Sequence, residues 1–434
     1  MVNWQQLVQT VENVDPIKVF GAVTKITGLM VEADGPRASL GDYCHIISSR
    51  GGIIIPAEVV GFRDTKTLLM PLGDLEGVAL RDSVLPQNRK LSVAIGPNLL
   101  GKILDGLGRP LDGSSIEQAV SYPINNTPPN ALSRPRITQP LFVGVRAIDG
   151  LLTLGKGQRM GIFAGSGVGK STLLGMMARN TEADVNVIAL VGERGRELRD
   201  FIEKDLGPEG LARSVIVVST SDQPALLRLK AALTATAIAE YYRDQGKDVL
   251  LMMDSVTRFA MAQREIGLTI GEPPATRGYP PSVFALLPKL LERAGMSEKG
   301  SITGIYTVLV DGDDFNEPIA DAVRGILDGH IVLSREIAAR NHYPSIDILH
   351  SVSRLMNEVA GEETLTLAGR IRRHLAVYHD AKDLIDIGAY VRGSSEDIDN
   401  ALKYIAKINN FLCQGIEEKV DFSMMLAQMK GIFH

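Results

Sequence analysis

The chain has 434 residues, 45% of them apolar and 22% charged, with a net charge of −5 at neutral pH. That length calls for two or three domains with ample core, and the acidic balance argues against a chain-wide nucleic-acid footprint. Cys44 and Cys413 stand far apart, and no CxxC, HExxH or Cys/His cluster occurs, which speaks against structural zinc and suits a reducing cytoplasm.

Residues 3–13, NWQQLVQTVEN, space Trp4, Leu7, Val8 and Val11 as i, i+3, i+4, i+7. The spacing predicts an amphipathic helix that packs on the core or docks a partner or membrane surface. No basic stretch followed by an apolar one opens the chain, and no apolar run reaches the roughly 18 residues of a membrane span. A cytosolic protein is expected.

From about 18 to 95 the texture becomes short β-rich pieces with frequent glycine: GAVTKITGLMVEA, GDYCHIIS, GGIIIPAEVVGF and KTLLMPL. These predict a small β-barrel. GKILDGLGRPLDG at 101–113 and the proline-rich 122–140 read as a linker folded onto the next domain. From about 141 to 353, strands alternate with helices. VNVIALVG (185–192), RSVIVVST (213–220), DVLLMMD (248–254) and SITGIYTVLVDG (301–312) are continuous apolar runs, as parallel strands buried on both faces require. A long helical stretch covers 224–246, and beyond 354 the chain is mostly helical, broken near IGAYVRGSSED. The expected division is a helix at 1–17, a barrel at 18–95, an α/β core with its linker at 96–353 and a helical domain at 354–434.

The chemistry gathers in the α/β part. QRMGIFAG (158–165) is a strand that runs into AGSGVGKST, and TLLGMMARN continues as a helix. This is the strand–loop–helix setting of a phosphate loop, although Ala164 stands where the G-x-x-x-x-G-K-[ST] pattern has glycine. A methyl at that junction is tolerable if φ stays negative. Residues Gly165, Ser166, Gly167, Val168, Gly169, Lys170, Ser171 and Thr172 are the candidate ATP-binding set. Their backbone N–H groups form an anion nest at a helix N-terminus. Lys170 supplies a cation for the β- and γ-phosphates, and the Ser171 hydroxyl is a candidate Mg²⁺ ligand.

Asp254 closes an apolar strand and is placed to hold Mg²⁺ through water; alone, such a residue often just caps the next helix. Glu193, in LVGERGRE, also follows a buried strand. Its carboxylate is a candidate to orient and polarise the attacking water, against the plainer reading of a solvated glutamate at a helix start. Tyr343 offers a flat face for a base. Arg354 follows the strand-like run SIDILHSVS.

Together these elements resemble the rotary and hexameric ATPase family that includes the α and β subunits of ATP synthase. PSIDILHSVS (344–353) matches that family's signature, and GERGRE resembles its catalytic glutamate segment. Within the family, GEPPATRGYPPSVFALLPKLLERAG (271–295) and VLVDGDDFNEPIADAVRGILDGHIVLSR (308–335) look like the type III protein-export ATPases, the flagellum-specific group most of all. AGSGVGKS, with alanine first, is also that group's form.

The resemblance implies an α/β RecA-like core carrying the phosphate loop, an N-terminal β-barrel domain and a C-terminal α-helical domain. It implies a homohexamer with ATP and Mg²⁺ at each interface, Arg354 reaching the neighbour's site and Tyr343 stacking on adenine. Arg194 and Arg258 then line the phosphate end, with Arg194, Arg354, Lys170 and Glu193 as the catalytic set. The implied activity is ATP hydrolysis that releases and unfolds export substrates from their chaperones at a membrane export gate. The implied partners are a stator-like regulator, a coiled-coil stalk protein, the gate and chaperone–substrate complexes, with no nucleic acid. The implied location is the cytoplasmic face of the cell membrane. An injectisome ATPase and, less well, a catalytic subunit of a rotary proton ATPase are the alternatives.

Overall fold

The computed structural model describes residues 19–310 and 315–434; the helix expected around Trp4, Leu7, Val8 and Val11 lies outside the described residues. Alternating inward side chains build the first unit. Its strands are β1 (Gly21–Thr27), β2 (Met30–Asp34), β3 (Asp42–Ile47), β4 (Ile54–Arg63), β5 (Lys66–Pro71) and β6 (Ser83–Lys90). Antiparallel neighbours in the order β1-β2-β5-β4-β3-β6 close into a barrel. The β1–β2 turn is two residues long and opens on Gly28, whose φ of +56° belongs to a tight hairpin. Val23, Val31, Ala33, Ile46, Ala57, Val59, Leu69 and Val84 fill the interior. β6 reads SVLPQNRK, too polar to stand out as a strand in the sequence; its pairing with β3 and β1 makes it one.

The second unit is built on a sheet. Its strands are β7 (Ile103–Leu104), β8 (Arg159–Ala164), β9 (Val185–Glu193), β10 (Ser214–Thr220), β11 (Asp248–Asp254), β12 (Ser301–Leu309), β13 (Gly329–Leu333) and β14 (Ile346–Ser353). They lie in the order β14-β13-β8-β12-β11-β9-β10-β7, with Gly295–Met296 added on β12. The expected apolar runs are β9 to β12, all parallel to their neighbours on this path and buried almost throughout. The linker joins the sheet, since Ile103 and Leu104 pair with Ile216 and Val217. β14 runs antiparallel on β13.

One helix differs from expectation. The helix whose start is one reading of Glu193, GRELRDFIEKD, is an α-helix only over Gly195–Asp200 and widens into a π-helical turn over Phe201–Leu206. The wider turn brings residues five apart onto one side, so Phe201 and Leu206 are both buried.

Helices Glu362–Asp386, Glu396–Leu412 and Phe422–Ile432 complete the unit. Ile371, Ile408, Phe411, Met425 and Met429 share one buried cluster with Ile188 and Ile331 of the sheet and with Leu173 and Leu174 of the helix that follows β8. Gly150 permits this closeness: a Cβ there would meet the sulfurs of Met425 and Met429 at 3.0 Å.

Candidate active site

The loop between β8 and the helix Lys170–Asn180 (α1) sits at the carboxyl edge of the sheet, where open α/β sheets bind ligands. Its glycines have separate reasons. Gly167 and Gly169 have φ of +79° and +85°, the left-handed region that turns successive N–H groups toward one point. At Gly165 the constraint is space, because a Cβ would lie 2.8 Å from the Arg335 guanidinium. Ala164 is still in the strand, 1% exposed and paired with Leu309 and Leu333. Its φ is not positive, so the methyl costs the loop nothing. Ala164→Gly is therefore expected to leave steady-state ATP turnover within about twofold; a much faster variant would show the alanine to be limiting.

Val168 anchors the loop. Its side chain is buried, and its carbonyl accepts a 2.7 Å hydrogen bond from the Ser345 hydroxyl. Lys170 heads α1 with its ammonium 2.5 Å from Asp254 Oδ1 and 3.7 Å from Glu193 Oε1. Burial opposes the lysine charge, but these two carboxylates outweigh it and hold the ammonium above the ordinary lysine value. Asp254, at the end of β11, is held by the Thr307 hydroxyl at 2.7 Å.

Glu193 is set by a bulge. Gly192, with φ +71°, is an extra residue against β10, and it turns Glu193 out of the strand's regular alternation. The Arg258 side chain packs against that glycine. Burial, and then the charge of Asp254, push the Glu193 carboxyl above the ordinary glutamate range, against Lys170 and Arg258. Its Oε1 is buried and accepts no hydrogen bond among the described residues. Such an atom needs a donor from a ligand or an ordered water.

Magnesium fits this set. The Ser171 hydroxyl and the Asp254 carboxylate are hard oxygen donors beside the nest, and Mg²⁺ takes its remaining ligands from phosphates and water. No group of three or more His, Cys, Asp or Glu side chains gathers to cage a metal among the described residues.

Beside the loop lies a cavity of about 610 Å³, lined by Gly167, Gly169, Thr172, Tyr343, Gln414 and Ile416 among others. The Tyr343 ring is 40% exposed and stands over Gly169, its carbons 3.4 Å from where a Cβ would be. A flat ring at that distance from a phosphate nest suits a nucleobase.

Two of the expected arginines are not gathered here. Arg194 is 76% exposed and its nearest acid is Glu197 at 3.4 Å. Arg194→Ala should leave nucleotide affinity of dilute protein within about twofold by fluorescence titration; a larger loss would place it at the phosphates. Arg354 is exposed and follows β14 at the end away from the loop. Ile346 pairs with Leu333, next to Ala164, whereas Ser353 pairs with Gly329. At about 3.3 Å per residue, the length of β13 puts roughly 13–16 Å between Arg354 and its own loop, beyond the reach of one side chain.

Thr307, Ser345 and Arg335 support the site without having shown themselves in the sequence. They meet it across 53 residues (Thr307 to Asp254) and 177 residues (Ser345 to Val168), and Arg335 meets Gly165 from the end of β13.

The comparisons with known proteins follow the same lines. Residues 144–353 match the nucleotide-binding domain of the ATP synthase alpha/beta family, and 23–87 match that family's beta-barrel domain. Residues 360–431 match the C-terminal domain of the type III secretion ATPase EscN. The chain is 56% identical to the flagellum-specific ATP synthase of Bacillus subtilis over 99% of its own length and 98% of that protein's. It is 53% identical to the type 3 secretion system ATPase of Xanthomonas euvesicatoria over 95% and 94% of the two chains. The assembled EscN of enteropathogenic E. coli superposes with a TM-score of 0.90 at 46% identity, covering 95% of this chain and 100% of that one. A barrel, a RecA-like sheet with a phosphate loop and a C-terminal helical region, on a chain so similar to these relatives, make it a member of the ATP synthase alpha/beta family, an ATP hydrolase of the branch that holds the flagellum-specific and type III secretion ATPases.

Proposed function

We propose that this chain hydrolyses Mg·ATP to energise flagellar type III protein export, releasing substrates from their chaperones and unfolding them at the export gate. The observation that carries the chemistry is Glu193, a half-buried carboxylate beside Lys170 with one buried oxygen open to a ligand-borne donor. The flagellar assignment rests on the similarity to the Bacillus subtilis protein.

In this reading the N–H groups of Gly165–Thr172 cradle the triphosphate, and Tyr343 supports adenine. Lys170 leaves its two carboxylates to meet the β- and γ-phosphates. Ser171, and Asp254 through water, would hold Mg²⁺, which would supply charge neutralisation on the phosphate oxygens. Glu193 orients the attacking water and accepts its hydrogen bond, and Arg258 faces Glu193 from the neighbouring helix. Arg354 is too far from its own loop, so it serves the site of an adjacent copy in a homohexameric ring and stabilises charge on the transferred phosphoryl. Arg194 is exposed enough to join such an interface.

EscN of E. coli has been solved assembled and in complex with its central stalk EscO. By analogy the partners here are further copies of the chain, a coiled-coil stalk protein, a stator-like regulator, the gate and chaperone–substrate complexes, with no nucleic acid. No helix among the described residues is long and apolar enough to cross a membrane, which is compatible with a cytoplasmic protein held peripherally at the membrane's inner face. Affinity capture from cells with mass spectrometry tests the pathway. Flagellar export components are expected; injectisome components would move the protein to virulence secretion, and ATP-synthase subunits would overturn the reading.

A further inference from the structure

Gln158 immediately precedes β8, and its side chain is completely buried. Its carboxamide is engaged at both its oxygen and its nitrogen. Oε1 accepts from the Gly155 N–H at 2.8 Å, while Nε2 donates to the Asp328 carbonyl at 3.3 Å and to the Ser353 hydroxyl at 3.1 Å. The Ser353 hydroxyl donates in turn to the Thr153 carbonyl at 3.0 Å. The same Asp328 carbonyl accepts the backbone N–H of Arg354 at 3.0 Å. The Asp328 carboxylate in turn grips Arg159, the first residue of β8, through its backbone N–H, Nε and a terminal nitrogen. A buried amide with both N–H groups and its oxygen hydrogen-bonded fixes geometry, because any displacement leaves a polar group unpaired.

β8 thus has a functional group at each end. Its carboxyl end becomes the phosphate loop, and its amino end is tied to the backbone of Arg354 through one shared carbonyl. We infer that Gln158 is a positioning residue for Arg354, holding the arginine to the strand that carries the phosphate loop, so that the loop of one subunit and the arginine offered to the next move as one piece. The inference rests on the proposed action of Arg354 across an interface. It adds the route by which occupancy of one site reaches its neighbour.

Gln158→Met keeps the volume of the side chain and removes its hydrogen bonds. In assembled full-length protein kcat should fall by roughly 10- to 100-fold, the cost of a misplaced catalytic group. Nucleotide affinity of dilute protein should stay within about twofold. Mixing experiments then locate the defect. Rings mixed with Glu193→Gln subunits should regain turnover, because Gln158→Met sites receive an intact Arg354. Rings mixed with Arg354→Ala subunits should not, because each interface has either no arginine or a misplaced one. A loss of loop geometry within the subunit predicts the reverse pattern. Rescue by Arg354→Ala subunits, rescue by neither partner, an unchanged kcat or a parallel loss of affinity overturns the inference. Should Gln158→Met fail to fold, Ser353→Ala removes only the hydroxyl that receives the amide and is held to the same pattern. The underlying reading fails separately: Arg354→Ala alone would then turn over at the wild-type rate.

Discussion

Glu193→Gln is expected to reduce ATP turnover by roughly 10²–10⁴-fold, the range of a lost general base or water-orienting carboxylate. The amide keeps the side chain's shape but not its charge, so Mg·ATP binding should be nearly unaffected. Lys170→Ala should instead weaken binding itself. The ammonium lies within 4 Å of two carboxylates, and removing it leaves a net negative pocket facing an anionic ligand. The acid side of the pH profile gives an independent check. Burial and Asp254 raise the Glu193 carboxyl, so its active, ionised form is lost as pH falls through a value above the ordinary glutamate range. Wild-type turnover should decline there, and the residual rate of the Gln variant should not. A Gln variant with more than half of wild-type turnover would remove Glu193 from the mechanism.

The second large effect concerns Arg354. A guanidinium supplied in trans accelerates phosphoryl transfer by about 10³–10⁵-fold, yet does nothing for a subunit that is alone. Specific activity should therefore rise with protein concentration as rings assemble and fall away on dilution. Arg354→Ala should be inactive even when assembled, and mixing it with Glu193→Gln should restore some turnover at interfaces that pair an intact carboxylate with an intact arginine. A strictly monomeric preparation with the full rate per subunit, or an Arg354→Ala protein at the wild-type rate, would sink the interface model.

What could be read in advance followed local pattern. β9, β10, β11 and β12 announce themselves because parallel strands covered on both faces need unbroken apolar runs. The phosphate loop announces itself because left-handed backbone at Gly167 and Gly169 needs glycine. β6 was hidden because Gln87, Asn88, Arg89 and Lys90 carry no apolar alternation; only its neighbours make it a strand. The π-helical turn at Phe201–Leu206 was hidden because a five-residue apolar spacing matches neither helix nor strand. Around the site, Lys170, Glu193 and Asp254 were legible as chemistry at strand ends. Thr307, Ser345 and Gln158 were not, since a hydroxyl or amide acquires its role only when folding brings a distant partner to it. The contrast between Arg258, which faces Glu193, and Arg194, which faces solvent, likewise depends on the turn after Gly192.

The six-stranded barrel has a consequence for life in a crowd. Among the described residues its strands pair in a complete circuit, β1 returning to β6 through Gly21–Val84 and Ala22–Ser83. An open sheet would present a row of unsatisfied N–H and C=O groups to every copy beside it, a template for strand exchange and fibrous aggregation. A closed circuit offers no such template. Barrels that meet their own kind at high local concentration can then associate through side-chain surfaces, which separate again, without swapping backbone.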